Sequence, residues 1–283
     1  MRITGAAKLA GIIGWPVAHS RSPALHGYWL REHGIDGAYI PMPVKPENLR
    51  RALQALPVLG FAGCNLTIPH KEDALRAVDE YEASAKRAGG VNTVVIRPNG
   101  TIVGSSTDGF GFIAALRAAV TGFSAAAGPA VVLGAGGAAR AIVAALLDDG
   151  AREVRLVNRT PERAAKLAKE LGGEVRGVAW DKRGEALAGA GLLVNATSLG
   201  MEGQPALGLP LDLLSPEAVV NDIVYVPLET PLLAAARARG NRCVDGLGML
   251  LHQAQPGFEA WFGVKPDITP GLRQAVLETL ARP

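Results

Sequence analysis

The segment Val131-Val132-Leu133-Gly134-Ala135-Gly136-Gly137-Ala138-Ala139-Arg140 constrains the fold more than any other stretch of this chain. A β-branched run ends in GxGxxA, and an apolar helical pattern continues through Leu147. In such a strand–turn–helix unit the first glycine permits the tight turn. The second lets a pyrophosphate approach the backbone, and the small third residue, here Ala139, lets helix and strand pack closely. The helix N-terminus then turns its unpaired N–H groups toward the phosphates. A glycine-rich turn without a ligand would use the same residues; the strand before it and the helix after it favour dinucleotide binding. Glycine is abundant throughout, 35 of 283 residues, which calls for many tight turns or close backbone approaches.

Short apolar runs alternate with helical patterns along the chain, the rhythm of βαβ units. Expected strands in the first part are Leu9 to Gly14, Ala38 to Met42, Gly63 to Thr67, and a hairpin of Thr93 to Ile96 with Thr101 to Val103, turning at Pro98, Asn99 and Gly100. Helices are expected to run from Pro23, Pro46 and Pro69, because proline suits the first helical turn. After about residue 108 the rhythm restarts, with strands at Val131 to Leu133, Val154 to Val157, Leu192 to Asn195 and Val219 to Asp222. The length, with 48% hydrophobic and 19% charged residues, supports two domains with sizeable cores.

Composition also excludes function classes. Net charge is only +3, from 29 basic and 26 acidic residues spread along the chain, which argues against a dedicated nucleic-acid binder. Cys64 and Cys243 lie far apart with no CxxC spacing, so neither a metal site nor a disulfide framework is expected, and a reducing cytoplasm fits. Two apolar stretches imitate targeting or membrane segments. Leu9 to Ala18 is broken by Gly11, Gly14 and Pro16, and the stretch between Arg117 and Arg140 contains five glycines and Pro129, so both read as strands, loops and a helix end.

Four further motifs carry chemistry. The strand after the glycine turn ends Val157-Asn158-Arg159-Thr160-Pro161-Glu162-Arg163, with no acid at its tip to bind ribose hydroxyls. Arg159 and Arg163 offer guanidinium groups for a 2′-phosphate, which favours NADP over NAD, while Thr160 suits the cap of a helix starting at Pro161. A solvated arginine pair is the plainer alternative. In His19-Ser20-Arg21-Ser22-Pro23, Ser22 is a natural N-cap, and two hydroxyls beside helix N–H groups would also cradle a carboxylate. In Asn65-Leu66-Thr67-Ile68-Pro69-His70-Lys71, Lys71 reads as a surface lysine or, in the first turn of a helix at Pro69, as a cation whose neutral form the dipole favours, suited to proton exchange. Thr107-Asp108-Gly109 supplies a carboxylate partner or a simple N-cap.

Together HSRSP, NLTIPHK, GGVNT, STDG, GAGGAA, NRTPER, NATSLG and DGLGMLLHQA closely resemble, in order and spacing, the shikimate dehydrogenase family. The resemblance implies a metal-free, NADPH-dependent and reversible reduction of 3-dehydroshikimate to shikimate, on the route to chorismate and the aromatic amino acids. It implies an α/β protein of two domains: an N-terminal substrate domain, 1–107 plus 247–283, to which the C-terminal helices return, and a Rossmann-type doubly wound NADP domain, 108–246. Ser20 and Ser22 would hold the substrate carboxylate; Thr67, Asn92, Asp108 and Gln253 the ring hydroxyls; Tyr225 would face the substrate. Lys71 would be the acid/base, paired with Asp108. Gly134, Ala135, Gly136, Gly137 and Ala138 would bind the pyrophosphate, and Asn158, Arg159, Thr160 and Arg163 the 2′-phosphate. Thr197, Ile223 and Gly246 would lie toward the nicotinamide.

Two positions depart from the family pattern. Ser106 stands where the family usually has Asn before Thr-Asp, and Trp15 where it often has Asn before Pro. The partners implied are small molecules only, with neither nucleic acid nor membrane, in a cytoplasmic monomer or homodimer. Two other readings stand beside this one. A quinate/shikimate dehydrogenase commonly carries Thr at the second serine position. A non-catalytic ligand-binding module would lack Lys71 or Asp108, and both are present.

Overall fold

The computed structural model describes residues 3–280 and divides into two compact units. One unit is built from residues up to Thr107 together with those from Gln253 onward; the other is Asp108–His252.

In the first unit the chain runs β1 (Lys8–Gly14), α1 (Ser22–Glu32), β2 (Gly37–Pro43), α2 (Leu49–Val58), β3 (Phe61–Leu66), β4 (Glu80–Tyr81), α3 (Ala83–Ala88), β5 (Thr93–Ile96) and β6 (Ile102–Ser105). The six strands form one sheet in the order β2-β1-β3-β5-β6-β4. The β1 strand pairs parallel with β2 and β3, whereas β5 is antiparallel to both β3 and β6. Register sets Asn65 opposite Thr93 and Thr93 opposite Ser105, so the end of β3, the start of β5 and the end of β6 share one edge. Under the sheet Ile13, Leu53, Leu66, Val91 and Val94 are buried together.

Two local expectations fail in this unit. No α-helix starts at Pro69; the chain makes a turn in which the His70 N–H donates to Thr67 O (2.9 Å), and only a 3-10 turn follows at Asp73–Arg76. The cause is tertiary: His70 is buried, and its Nε2 lies 2.8 Å from Val44 O, which fixes the segment in a non-helical path. Nor is Ser22 the cap of α1. That position falls to Arg21, and the Ser22 N–H donates instead to Ser20 Oγ at 3.3 Å.

The second unit contains α4 (Asp108–Ala119), β7 (Ala130–Leu133), α5 (Gly137–Asp148), β8 (Val154–Asn158), α6 (Pro161–Leu171), β9 (Val175–Ala179), β10 (Leu192–Asn195), β11 (Val219–Asp222), α7 (Pro231–Ala238) and β12 (Arg242–Val244). Its sheet is parallel throughout, in the order β12-β11-β10-β7-β8-β9. Read by first appearance this is 3-2-1-4-5-6 from β9, the doubly wound order, with its switch point between β7 and β10. Strand alternation feeds two cores. Val132, Leu156 and Val194 join the cluster with Ile142 and Leu146 of α5, while Val131, Val157, Leu193 and Val220 face Leu232 and Leu233 of α7. Sheets covered on both faces in this way need near-continuous apolar strands, which is what these segments are.

Helix α8 (Gly246–Phe262) begins in the second unit and ends in the first, and α9 (Pro270–Leu280) follows. In the first unit Phe258 and Trp261 of α8 pack with Trp29, His26 and Tyr39, and Trp261 Nε1 donates to Val94 O at 2.9 Å.

Candidate functional site

In the second unit the glycine turn lies at the carboxyl end of β7, beside the switch point. Gly134 has φ +107°, and a Cβ there would meet Ala196 O at 2.9 Å, so only glycine lets the turn pass this close to β10. Gly136 is different. It is the N-cap of α5, in extended backbone (φ −96°, ψ −174°), with nothing within 4 Å of where a Cβ would stand. Gly137 is equally open, while Ala139 is fully buried. The residues thus leave an open cradle at a helix N-terminus that has no side-chain cap, which fits a dinucleotide pyrophosphate.

The tip of β8 supplies the remaining polar groups. Asn158 Nδ2 donates to Thr160 O (2.9 Å), closing the turn into α6, whose N-cap is Thr160. The Thr160 hydroxyl makes no capping bond. Arg159 and Arg163 are exposed, and among the described residues neither has a carboxylate within ion-pair distance. Two uncompensated guanidinium groups at this tip suit a phosphate better than ribose hydroxyls.

Thr197 and Ile223 sit on a buried polar frame that sequence reasoning did not find. Asn195 Oδ1 accepts from the Thr197 N–H (3.1 Å) and hydroxyl (2.7 Å), and its Nδ2 donates to Asp222 Oδ1 at 3.0 Å. Asp222 also accepts from the Val224 N–H (3.0 Å) and the Thr230 hydroxyl (2.7 Å). Burial pushes its carboxyl above the usual range, and these donors offset part of that. The available signal was a polar residue ending each of two otherwise apolar strands, Asn195 and Asp222. Gly246 opens α8 against this loop, where a Cβ would lie 2.1 Å from Ile223 O. Tyr225 follows two residues later, half-buried.

In the first unit one edge of the sheet gathers Ser20 and Ser22 at the start of α1, Thr67 just past β3, and Asn92 just before β5. The Thr67 N–H donates to Ile13 O at 3.0 Å. The main chain of Lys71 is tied to the same edge, its O accepting from the Val91 N–H at 2.8 Å. Lys71 is half-buried, but with no helix at Pro69 the dipole argument for its chemistry has no helix behind it. Gln253 is half-buried on α8. Asp108, in the second unit, opens α4 and is 5% exposed.

Hydrogen bonds link much of this first-unit edge. The Tyr39 hydroxyl donates to Asn65 Oδ1 (2.6 Å), and Asn65 Nδ2 donates to Asn92 O (3.0 Å) and Thr93 Oγ1 (3.2 Å). Asn92 Oδ1 accepts from the Thr93 hydroxyl (2.9 Å), the Thr107 N–H (2.9 Å) and the Thr107 hydroxyl (3.1 Å). Tyr39 stacks on His26 at 3.9 Å between ring centroids. Burial lowers His26 to about 3, the nearby Asn65 amide offsetting only part, and neither ring nitrogen has a hydrogen-bond partner. The two departures from the family pattern are accommodated locally: Lys45 Nζ lies 5.7 Å from the centroid of the Trp15 ring, and the Ser106 N–H donates to Ser84 Oγ at 3.1 Å.

A cavity of about 430 Å³ lies in the second unit at the amino ends of β7, β10 and β11, away from the glycine turn. Its polar groups serve the chain itself: Ser124 Oγ accepts from Ala126 N–H, Ser215 Oγ from Glu217 N–H, and Arg242 donates to Glu217 O. Among the described residues no group of three potential metal ligands occurs, and no helix is long and apolar enough to cross a membrane.

Comparison with known families matches residues 12–94 to the shikimate dehydrogenase substrate binding domain, 118–201 to shikimate / quinate 5-dehydrogenase, and 246–277 to the shikimate 5′-dehydrogenase C-terminal domain. A curated protein named shikimate dehydrogenase (NADP(+)), from Paramagnetospirillum magneticum, is 58% identical over 275 residues, 97% of this chain and 100% of the relative. Among solved structures, shikimate 5-dehydrogenase from Thermus thermophilus in complex with NADP(H) and shikimate is 40% identical with a TM-score of 0.85, covering 96% of this chain and 99% of that one. Quinate dehydrogenase from Corynebacterium glutamicum in complex with NAD is 32% identical with a TM-score of 0.89, with the same 96% and 99% coverage.

Proposed function

Because the chain belongs to the shikimate dehydrogenase family, we propose that Lys71 and Asp108 carry its proton transfer, and that Ser20, Ser22, Thr67, Asn92, Tyr225 and Gln253 hold its substrate. It is an NADP-dependent oxidoreductase that interconverts 3-dehydroshikimate and shikimate. The observation that carries the residue assignment is the gathering of Ser20, Ser22, Thr67, Asn92 and the Lys71 main chain at one edge of the first-unit sheet. A polyhydroxylated carboxylate needs that mixture: hydroxyls and helix N–H groups for the carboxylate, amide and hydroxyl groups for the ring oxygens.

On the cofactor side Gly134 to Ala138 would hold the pyrophosphate, Asn158, Arg159, Thr160 and Arg163 the 2′-phosphate, and Thr197, Ile223 and Gly246 the nicotinamide end. When bound, NADPH supplies the hydride to the ring carbonyl carbon. In reduction Lys71, as an ammonium, stabilises the negative charge growing on the carbonyl oxygen and donates its proton there. Asp108 holds that ammonium and a neighbouring ring hydroxyl in place. In oxidation the amine of Lys71 takes the hydroxyl proton. The enzyme works in the cytoplasm as a monomer or homodimer.

The likeness to a quinate dehydrogenase favours quinate turnover as the second reading. Quinate carries an extra hydroxyl on the carbon that bears the carboxylate, so the Ser20/Ser22 pair is where the two substrates are told apart. A four-way assay, shikimate or quinate against NADP or NAD with reduced cofactor followed by absorbance, tests both. Turnover is expected with shikimate and NADP; activity confined to quinate and NAD would overturn the assignment.

A further inference from the structure

We propose that Thr93 is a positioning residue for the substrate: its buried hydroxyl, together with the N–H and hydroxyl of Thr107, holds the Asn92 amide so that the N–H₂ donor, not the carbonyl, is presented to a ring oxygen. The inference rests on the reading that Asn92 meets the substrate.

The polarity of the hydrogen-bond chain is fixed at both ends by main-chain groups. Asn92 O can only accept, so the Asn65 group 3.0 Å from it must be the amide nitrogen, and Asn65 Oδ1 is left to accept from Tyr39. Thr107 N–H can only donate, so the Asn92 atom 2.9 Å from it must be Oδ1. Thr93 Oγ1 stands between these fixed ends, accepting from Asn65 Nδ2 and lying 2.9 Å from Asn92 Oδ1 and 3.2 Å from Thr107 Oγ1, the two acceptors within reach of its one proton. Thr93 is 2% exposed and Asn92 5%, so no alternative solvent partner competes for these groups. With Oδ1 held by Thr93 and Thr107, the nitrogen lies on the opposite side of the amide. A ring hydroxyl meeting it must accept, and its own proton then points toward another acceptor, the arrangement a proton transfer away from that hydroxyl requires. Thr93 does none of this by touching substrate; it acts through Asn92.

Thr93→Val removes the hydroxyl at nearly constant volume. The expected result is a rise of up to about tenfold in KM for shikimate, the factor for one neutral hydrogen bond lost from the set that holds the amide in a buried site. KM for NADP stays within about twofold. Thr93→Ser, which restores the hydroxyl, returns shikimate KM to near the wild-type value. In an Asn92→Ala background Thr93→Val adds no further loss, because the group it orients is gone. A purely structural role predicts otherwise: a lower melting temperature with kcat/KM unchanged, or the same loss in both backgrounds, and either result overturns the proposal. Should Thr93→Val not fold, Tyr39→Phe enters the same chain from its far end, and the same absence of further loss with Asn92→Ala is required. If Asn92→Ala leaves shikimate KM unchanged, the assignment of Asn92 itself fails and this inference fails with it. If Asn92→Ala raises KM and Thr93→Val does not, only the inference fails.

Discussion

Replacing Gly134 and Gly136 in turn by alanine separates two roles that the same motif assigns to neighbouring glycines. At Gly134 the φ of +107° is a region L residues rarely adopt, and holding one there costs about 1–3 kcal/mol. The new Cβ would also stand 2.9 Å from Ala196 O and 3.1 Å from Thr197 Cγ2, and forcing a methyl into packed surroundings costs about 1–3 kcal/mol more. The sum, about 2–6 kcal/mol, is a large part of an ordinary stability of about 5–15 kcal/mol. The unfolding transition of the second unit should fall by at least about 4 °C, at roughly 2–4 °C per kcal/mol. At Gly136 the backbone is extended and no atom lies within 4 Å, so Gly136→Ala should leave stability within about 1 kcal/mol of wild type. Its methyl would occupy the cradle instead, and NADPH should bind about 10- to 100-fold more weakly. Thermal and urea unfolding followed by circular dichroism read the first effect, and titration of NADPH fluorescence reads the second. Equal loss of stability in both variants, or wild-type NADPH affinity in Gly136→Ala, would refute the division of roles.

Lys71→Ala should lower kcat by about 10²- to 10⁴-fold, the usual contribution of a positioned acid/base, while direct titration shows shikimate affinity little changed; near-normal turnover would remove Lys71 from the mechanism. Replacing Arg159 and Arg163 together by alanine should raise KM for NADP about 10- to 100-fold and leave KM for NAD nearly unchanged, so a parallel change in both would place the 2′-phosphate elsewhere. His26 gives a pH signature. Its folded value of about 3 lies below its ordinary 6.5, so between these the unfolded chain binds a proton that the folded chain does not. Stability is therefore lost as pH falls below 6.5, by about 1.4 kcal/mol per pH unit for this one group. The urea midpoint of wild type should fall more steeply from pH 7 to pH 5 than that of His26→Phe, which keeps the aromatic stack; parallel slopes would count against this account.

The central strands of both sheets were legible because their apolar runs are buried on both faces. Of the four edge strands only β2 was expected: β9 carries Arg176 and Gly177, β12 is the three residues Arg242–Val244, and β4 only Glu80–Tyr81, so each of these three has a solvated side and no apolar signature. Pro69 shows the opposite error, a good local helix signal overridden when burial of His70 and its contact with Val44 O commit the segment to a turn. The Ser22 cap failed for a similar reason, since Ser20 Oγ takes the Ser22 N–H from outside the helix.

The sequence by itself determined the fold class, the glycine turn with its helix, the absence of an acid at the tip of β8, and the family, because each is written in consecutive residues. Only the tertiary structure decided which glycine is a steric necessity and which an open cradle, since that depends on Ala196 arriving from a strand some sixty residues away. It alone ordered the chain Tyr39, Asn65, Thr93, Asn92 and Thr107 and the frame of Asn195, Asp222 and Thr230. Hydrogen-bond polarity is a property of which donors and acceptors meet in space. Residues drawn from four separate strands or loops carry no trace of that meeting in their order along the chain.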